Sequence, residues 1–159
     1  MKKLLSNPQS FDQVLNCLAH GVTIQDPYGK LIYANKVAAK MMNCKSPSEA
    51  VARGGASIIN DFHLFDEHGK ELNLADLPGR QALQGAEEPE MIVGFKLHGS
   101  DKVRWTVIKA SPVFDENGTL THAVNVLQDV TALKETEIRL RDANERITDL
   151  LEQALSPSR

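Results

Sequence analysis

A chain of 159 residues, 42% apolar and 25% charged, has the composition of one globular domain with an appendage. A net charge of −3 and a pI near 5.9 lack the basic excess that a nucleic-acid or anionic-membrane surface needs. No apolar run approaches the ~18 residues of a bilayer span, the start MKKLLSNPQS lacks the apolar stretch of an export signal, and Cys17 and Cys44 offer no disulfide framework, so a reduced, cytoplasmic setting is expected.

In chain order, Ser10 followed by Gln13 has the pattern of a capping box, and Phe11, Val14, Leu15 and Leu18 share one helical stripe. A short amphipathic helix is expected over 11–19, ended by Gly21. Residues 22–25 and 31–34 read as strands about a proline-set turn, Asp26-Pro27-Tyr28-Gly29. Asn35 suits the N-cap of a helix reaching about Met42, with Val37, Ala38 and Met41 as its apolar stripe. Ser46-Pro47-Ser48-Glu49 supplies a capping serine, proline at the first helical position and glutamate at the third; Gly54-Gly55 stops that helix. A brief helix at 57–60 follows, then a hairpin about Asp66-Glu67-His68-Gly69. Asp76 is then expected to cap a helix through Leu83, closed by Gly85. Strands at about 91–97, 103–114 and 120–128 complete an α+β pattern, an antiparallel sheet with small helices on one face.

A turn at 115–118 that closes a Phe114–Thr119 pair sets Trp105 against Gln128, Thr106 against Leu127, Ile108 against Asn125 and Arg104 against Asp129. A one-residue bulge would exchange the two faces. In this register Thr106, Ile108, Asn125 and Leu127 face the helices, and with Met41 they are the expected pocket. A buried Asn125 amide wants partners, so it bonds a helix backbone, the commoner outcome, or orients a small ligand.

The last strand runs into Asp129-Val130-Thr131, after which Leu133, Leu140, Ile147 and Ala154 recur every seven residues. Ala143 and Leu150 fit the companion seam, whereas Thr136 is polar there. Glu135–Arg139, Glu137–Arg141 and Asp142–Arg146 have the favourable acid-before-base spacing. The result is a rod ~39 Å long. Its seam is buried only against another helix, most simply a second copy of itself, so sheet strain would pass to a paired rod. The plain alternative is a helix folded back onto its own sheet. Phe11, Val14, Leu15 and Leu18 are expected to share the homodimer face with Leu133, Leu140 and Ile147. At the junction Asp129 is expected to pair with Arg104 and the Thr131 hydroxyl to cap the exit helix, against the alternative of an ordinary strand-to-helix turn.

Three segments in order, GVTIQDPYGKLIYANKVAAKMM, FDEHGKELNLADLPGRQALQG and VRWTVIKASPVFDENGTLTHAVNVLQDVTALKETE, resemble the PAS family of sensory domains over about residues 11–137. The resemblance implies a five-stranded antiparallel sheet, small helices over one face and a cavity between them, here with an N-terminal amphipathic helix and a C-terminal coiled-coil helix. It also implies a regulatory module, usually dimeric and attached to an output domain such as a histidine kinase, phosphatase or cyclic-dinucleotide enzyme. In the family an Asp-x-Thr junction links sheet to output helix, and Asp129 and Thr131 match it. The expected organisation is a tail at 1–9, the sensory domain at 10–129, a signalling helix at 130–155 and a tail at 156–159.

The family's flavin photosensors need a cysteine within Asn-Cys-Arg-Phe-Leu-Gln. This chain has Arg53-Gly54-Gly55-Ala56-Ser57 there, and Leu127 stands in place of the flavin-facing glutamine. Flavin photochemistry is therefore not expected. Haem-binding members use a histidine near the positions of His63 and His68, but His68 lies in an Asp-x-x-Gly turn and His63 reads as a half-buried structural residue. Cys17 and His20 have no orienting acid or metal-ligand companions, and Cys17 reads as a small core residue. There is no phosphate-binding P-loop, and no histidine follows His122 to make the exit helix a phosphoacceptor. The leading expectation is a homodimeric relay module without catalysis or a nucleic-acid or membrane partner, with no cofactor evident from the residues and a small-molecule ligand or a partner as its signal. The competing one is a stand-alone binder of an apolar or haem-like small molecule.

Overall fold

The computed structural model describes residues 7–156, and its elements begin where side chains can cap or turn the backbone. Helix α1 (Pro8–Asn16) starts two residues before the expected capping serine, Ser10. Asn7 is its cap, accepting from Gln9 N at 3.1 Å, and Pro8 fits the first helical position. Pro8 and Gln9, expected in a tail, thus belong to a helix; the remainder of the expected tails falls largely on residues 1–6 and 157–159, outside the described ones. Strands β1 (Gly21–Gln25) and β2 (Leu31–Ala34) precede α2 (Lys36–Met41), α3 (Pro47–Arg53) and α4 (Gly55–Ile59). Asn35 and Ser46 cap α2 and α3 through Ala38 N and Glu49 N.

Strands β3 (Phe62–Phe65) and β4 (Glu71–Leu72) lead to a 3₁₀ turn (Leu74–Asp76) and α5 (Pro78–Leu83). Asp76 does not cap α5. It is the third residue of the 3₁₀ turn and closes a capping box with Asn73, which leaves Leu77 before Pro78 to start the helix. Strands β5 (Glu90–Leu97), β6 (Val103–Phe114) and β7 (Leu120–Asp129) follow, then α6 (Thr131–Leu155).

Residues up to Asp129 form one compact unit and those from Val130 another. The first holds an antiparallel sheet in the order β2-β1-β7-β6-β5-β3-β4. It has seven strands rather than five because the 62–72 hairpin does not stand apart. Backbone pairs such as Leu64↔Phe95 join β3 to the edge of β5. Gly94 permits this closeness, since a Cβ there would collide with the Phe65 ring, which stands edge-on to Trp105 at 5.4 Å.

Three hairpin turns share one construction. Asp26, Asp66 and Asp115 each accept, through Oδ1, the backbone N–H groups two and four residues on, with a left-handed glycine between. This chemistry corrects the expected β6–β7 register. The turn closes as Asp115–Thr119 rather than Phe114–Thr119, and a bulge at Val113/Phe114 adds a second shift. Ile108 therefore faces Leu127, Ala110 faces Asn125, and Thr106 rather than Arg104 faces Asp129. Two one-residue slips preserve parity, so the faces stay as expected.

The helix-side core is built in three parts. Leu31, Ala38, Ala50 and Ile58 pack beneath α2–α4; Leu64, Leu77, Val93 and Ile108 fill the centre; Ala82, Ala110 and Ala123 let α5 approach the sheet. Gly21 is not a helix stop. It opens β1, where a Cβ would lie 3.0 Å from Ala38 Cα and 3.1 Å from Leu127 Cβ. Cys17 is exposed, and Cys44 is the buried thiol.

Helix α1 is tied down by polar contacts. Asn16 Oδ1 accepts from Lys36 N, and Tyr33 Oη donates to Asp12 Oδ1, each at 2.9 Å. Burial first, then the hydrogen bond and charge of Asp12, push the Tyr33 phenol up to about 12. The folded state thus holds this proton more tightly than the unfolded chain. The resulting stabilisation is complete below pH 10 and is lost as pH rises towards about 12. An ultraviolet phenolate titration should resolve Tyr33 ionising at about 12, and Asp12→Asn should lower that value in part, leaving the contribution of burial.

Candidate functional site

Between the sheet and helices α2–α5 lies a cavity of about 100 Å³. Its middle is apolar, with Leu31, Met41, Ile58, Phe95, Ile108 and Leu127 on its walls. All five expected pocket residues, Thr106, Ile108, Asn125, Leu127 and Met41, line it. Its two ends along β7 differ in character.

At the end towards Asp129, the Arg104 guanidinium meets two partners. Its Nη1 donates to the Met41 carbonyl at 2.6 Å, at the C-terminus of α2, and its Nε lies 3.8 Å from the Asp129 carboxylate. The expected Arg104–Asp129 pair is present, reached diagonally because Thr106 takes the directly opposing position. Val130 alone separates β7 from α6 and occupies the helix cap position without a capping side chain. Thr131 is the first helical residue, and Val130 rather than Thr131 holds the N-cap position.

At the other end, β1 pairs Thr23 with Asn125, and Gln25 follows on the same face. The α5 residues Gly79 and Arg80 complete that wall. Only a glycine fits opposite these amides: a Cβ at residue 79 would stand 2.5 Å from Asn125 Oδ1 and 3.0 Å from Gln25 Oε1. Arg80 crosses Gly29, donating to Tyr28 O at 3.4 Å and Gly29 O at 3.3 Å. Gln25 Oε1, Arg80 Nε and Asn125 Nδ2 are buried without a hydrogen-bond partner. Sequence reasoning missed Gln25, Gly79 and Arg80. The available signal was the alternation of polar Thr23 and Gln25 with apolar Val22 and Ile24.

No Asp, Glu or His lines the cavity, and no cluster of three metal-ligating side chains occurs among the described residues. His63 is exposed, not half-buried: its ring stands edge-on to that of His98 at 4.1 Å, and His68 is exposed in its turn. Neither reaches the cavity wall, and a porphyrin is far larger than the space. Burial pushes the Cys44 thiol up, the reverse of what a nucleophile needs.

The expected dimer residues are distributed as follows. Phe11 and Val14 are exposed on α1, Phe11 lying 6.2 Å from the Tyr33 ring; Leu15 is half-buried, and Leu18 lies exposed beyond the helix end. On α6, Leu133, Leu140 and Ile147 are exposed in the single chain. No helix of the described residues is long and apolar enough to cross a membrane.

A family model described as the PAS fold matches residues 15–135. Among solved structures, the PAS domain of nitrogen regulation protein NR(II) from Vibrio parahaemolyticus is 18% identical, covering 74% of this chain and 95% of that one at a TM-score of 0.50. The PAS domain of Bordetella pertussis BvgS is also 18% identical, covering 89% and 99% at 0.53. A PAS domain from Colwellia psychrerythraea is 15% identical, covering 78% and 97% at 0.56. At these identities the likeness is one of fold. No curated protein matches the chain.

Proposed function

The chain belongs to the PAS-fold family, and from that premise we propose that it is a cytoplasmic sensory module that homodimerises and relays the state of a ligand or partner through α6 to an output domain. A histidine kinase, a phosphatase or a cyclic-dinucleotide enzyme is the kind of output meant. Catalysis forms no part of this reading, because the cavity holds no nucleophile beside a base.

One residue carries the proposal. Arg104 lines the cavity, holds the end of α2 and pairs with Asp129, the last residue of the sheet before the helix-opening Val130. A cavity occupant that moves Met41 or Arg104 therefore acts on the backbone next to α6. The pair is half-exposed, so it is worth no more than about 1 kcal/mol. That suits a switch, since a shift of about 1.4 kcal/mol already changes a two-state ratio tenfold. The exposed seam of α6 supplies the paired rod, because an apolar heptad stripe left in water gains by meeting its copy.

Asp129→Ala should loosen the start of α6 without unfolding the sheet. Hydrogen exchange across residues 130–140 should quicken several-fold while the urea midpoint moves little. Unchanged exchange there would remove the junction from the mechanism.

A further inference from the structure

We propose that the cavity binds a small organic carboxylate with a compact apolar tail, its head group held between Arg80 and Asn125. The inference rests on the sensory reading above and names the chemistry of its ligand. Three observations carry it.

The first is the set of orphaned atoms. Asn125 is 4% exposed, yet its Nδ2 has no partner, and Nε of Arg80, which lines the same cavity, has none either. A buried donor without an acceptor is costly, so two on residues lining one small cavity mark a place where an acceptor belongs. Gln25 Oε1, the third orphan, sits on a terminal amide that can turn to present its N–H₂ to the same head group.

The second is charge. The cavity wall carries two guanidinium groups and no acid, within a chain of net charge −3. Arg104 is offset by Asp129, whereas the hydrogen bonds of Arg80 go only to two backbone carbonyls. A half-buried cation held by carbonyls alone favours an anion, and the edge of a guanidinium matches a carboxylate. A neutral amide would satisfy the same donors but leave the charge uncompensated.

The third is size. A dry cavity of about 150 Å³ takes benzene, so the ~100 Å³ here admits about four to six non-hydrogen atoms. The apolar middle, from Leu31 and Ile108 to Leu127, takes a short hydrocarbon tail.

The test is an amide-shift NMR titration of the full chain with sodium butanoate and with butanamide, its neutral counterpart of equal size. Butanoate should give saturable shifts centred on the Asn125 side chain and on Thr23. Butanamide binding to wild type and butanoate binding to Arg80→Gln should each be weaker by about tenfold or more, the loss of one charge-assisted hydrogen bond. Arg80→Lys should recover part of the affinity, and Gly79→Ala, whose methyl would fill the head-group space, should abolish binding. Spectral dispersion of each unliganded variant shows whether it is folded. Equal binding of the two probes, an Arg80→Gln variant that binds like wild type, or no saturable butanoate shift at Asn125 overturns the inference. The relay reading is judged separately by sedimentation and by exchange in Asp129→Ala. A dimer that ignores carboxylates loses only this ligand, and a monomer that binds them loses only the relay.

Discussion

Asn35→Ala should cost this fold more than any other single polar substitution, about 3–5 kcal/mol, read as a large drop in urea midpoint. The side chain is fully buried and uses all of its bonding capacity that matters. Oδ1 accepts from Val22 N and Ala38 N, both at 2.9 Å, and Nδ2 donates to Leu15 O at 2.9 Å and His20 O at 3.0 Å. One amide thus joins the end of α1, the segment leading into β1, β1 itself and the first turn of α2. Truncation would strand four backbone groups away from water, each costing more than the net value of one bond. Asn35→Asp separates the two halves of that role. It keeps both acceptor bonds and loses both donor bonds, so exchange should quicken at residues 15–21 while the α2 cap survives. A midpoint within about 0.5 kcal/mol of wild type for the alanine variant would show that water replaces the amide.

Leu140→Glu combined with Ile147→Glu should convert the proposed dimer to monomers, raising the dissociation constant about a hundredfold or more. Both residues are more than half exposed in the single chain, at 62% and 54%. Their solvent-facing state makes them dispensable to the monomer, so the urea midpoint of the sheet should stay put. In a paired rod, by contrast, each copy would bury them, and a carboxylate in the seam would be desolvated beside its symmetry mate. Sedimentation equilibrium over a wide concentration range distinguishes the outcomes. A double variant that sediments like wild type would place the dimer contact elsewhere, with the exposed Phe11 and Val14 of α1 the next residues to change.

Much of the fold was legible because its signals are local. Proline, glycine and Asp-x-x-Gly turns set strand ends to within a residue or two, and Ser46-Pro47-Ser48-Glu49 opens α3 as read. The errors arose where two local signals compete. Ser10 lost the cap of α1 to Asn7-Pro8, Asp76 was taken by the preceding 3₁₀ turn, and Gly21 served close packing rather than a helix end. The pocket face came out right although the pairing did not, because the turn and the bulge each slipped β7 by one residue.

Periodicity and turn chemistry by themselves determined that this chain makes an antiparallel sheet with one helix-covered face and ends in a heptad helix, since both depend on neighbours within a few residues. Only the tertiary structure decided that the 62–72 hairpin extends the sheet, that Arg104 bridges Met41 and Asp129, and that Gln25, Arg80 and Asn125 bring unsatisfied polar atoms to one small cavity. Those partners lie far apart along the chain. For Gln25, Arg80 and Asn125, what joins them is the approach of α5 to the sheet over Ala82, Ala110 and Ala123, a packing distance that no local pattern encodes.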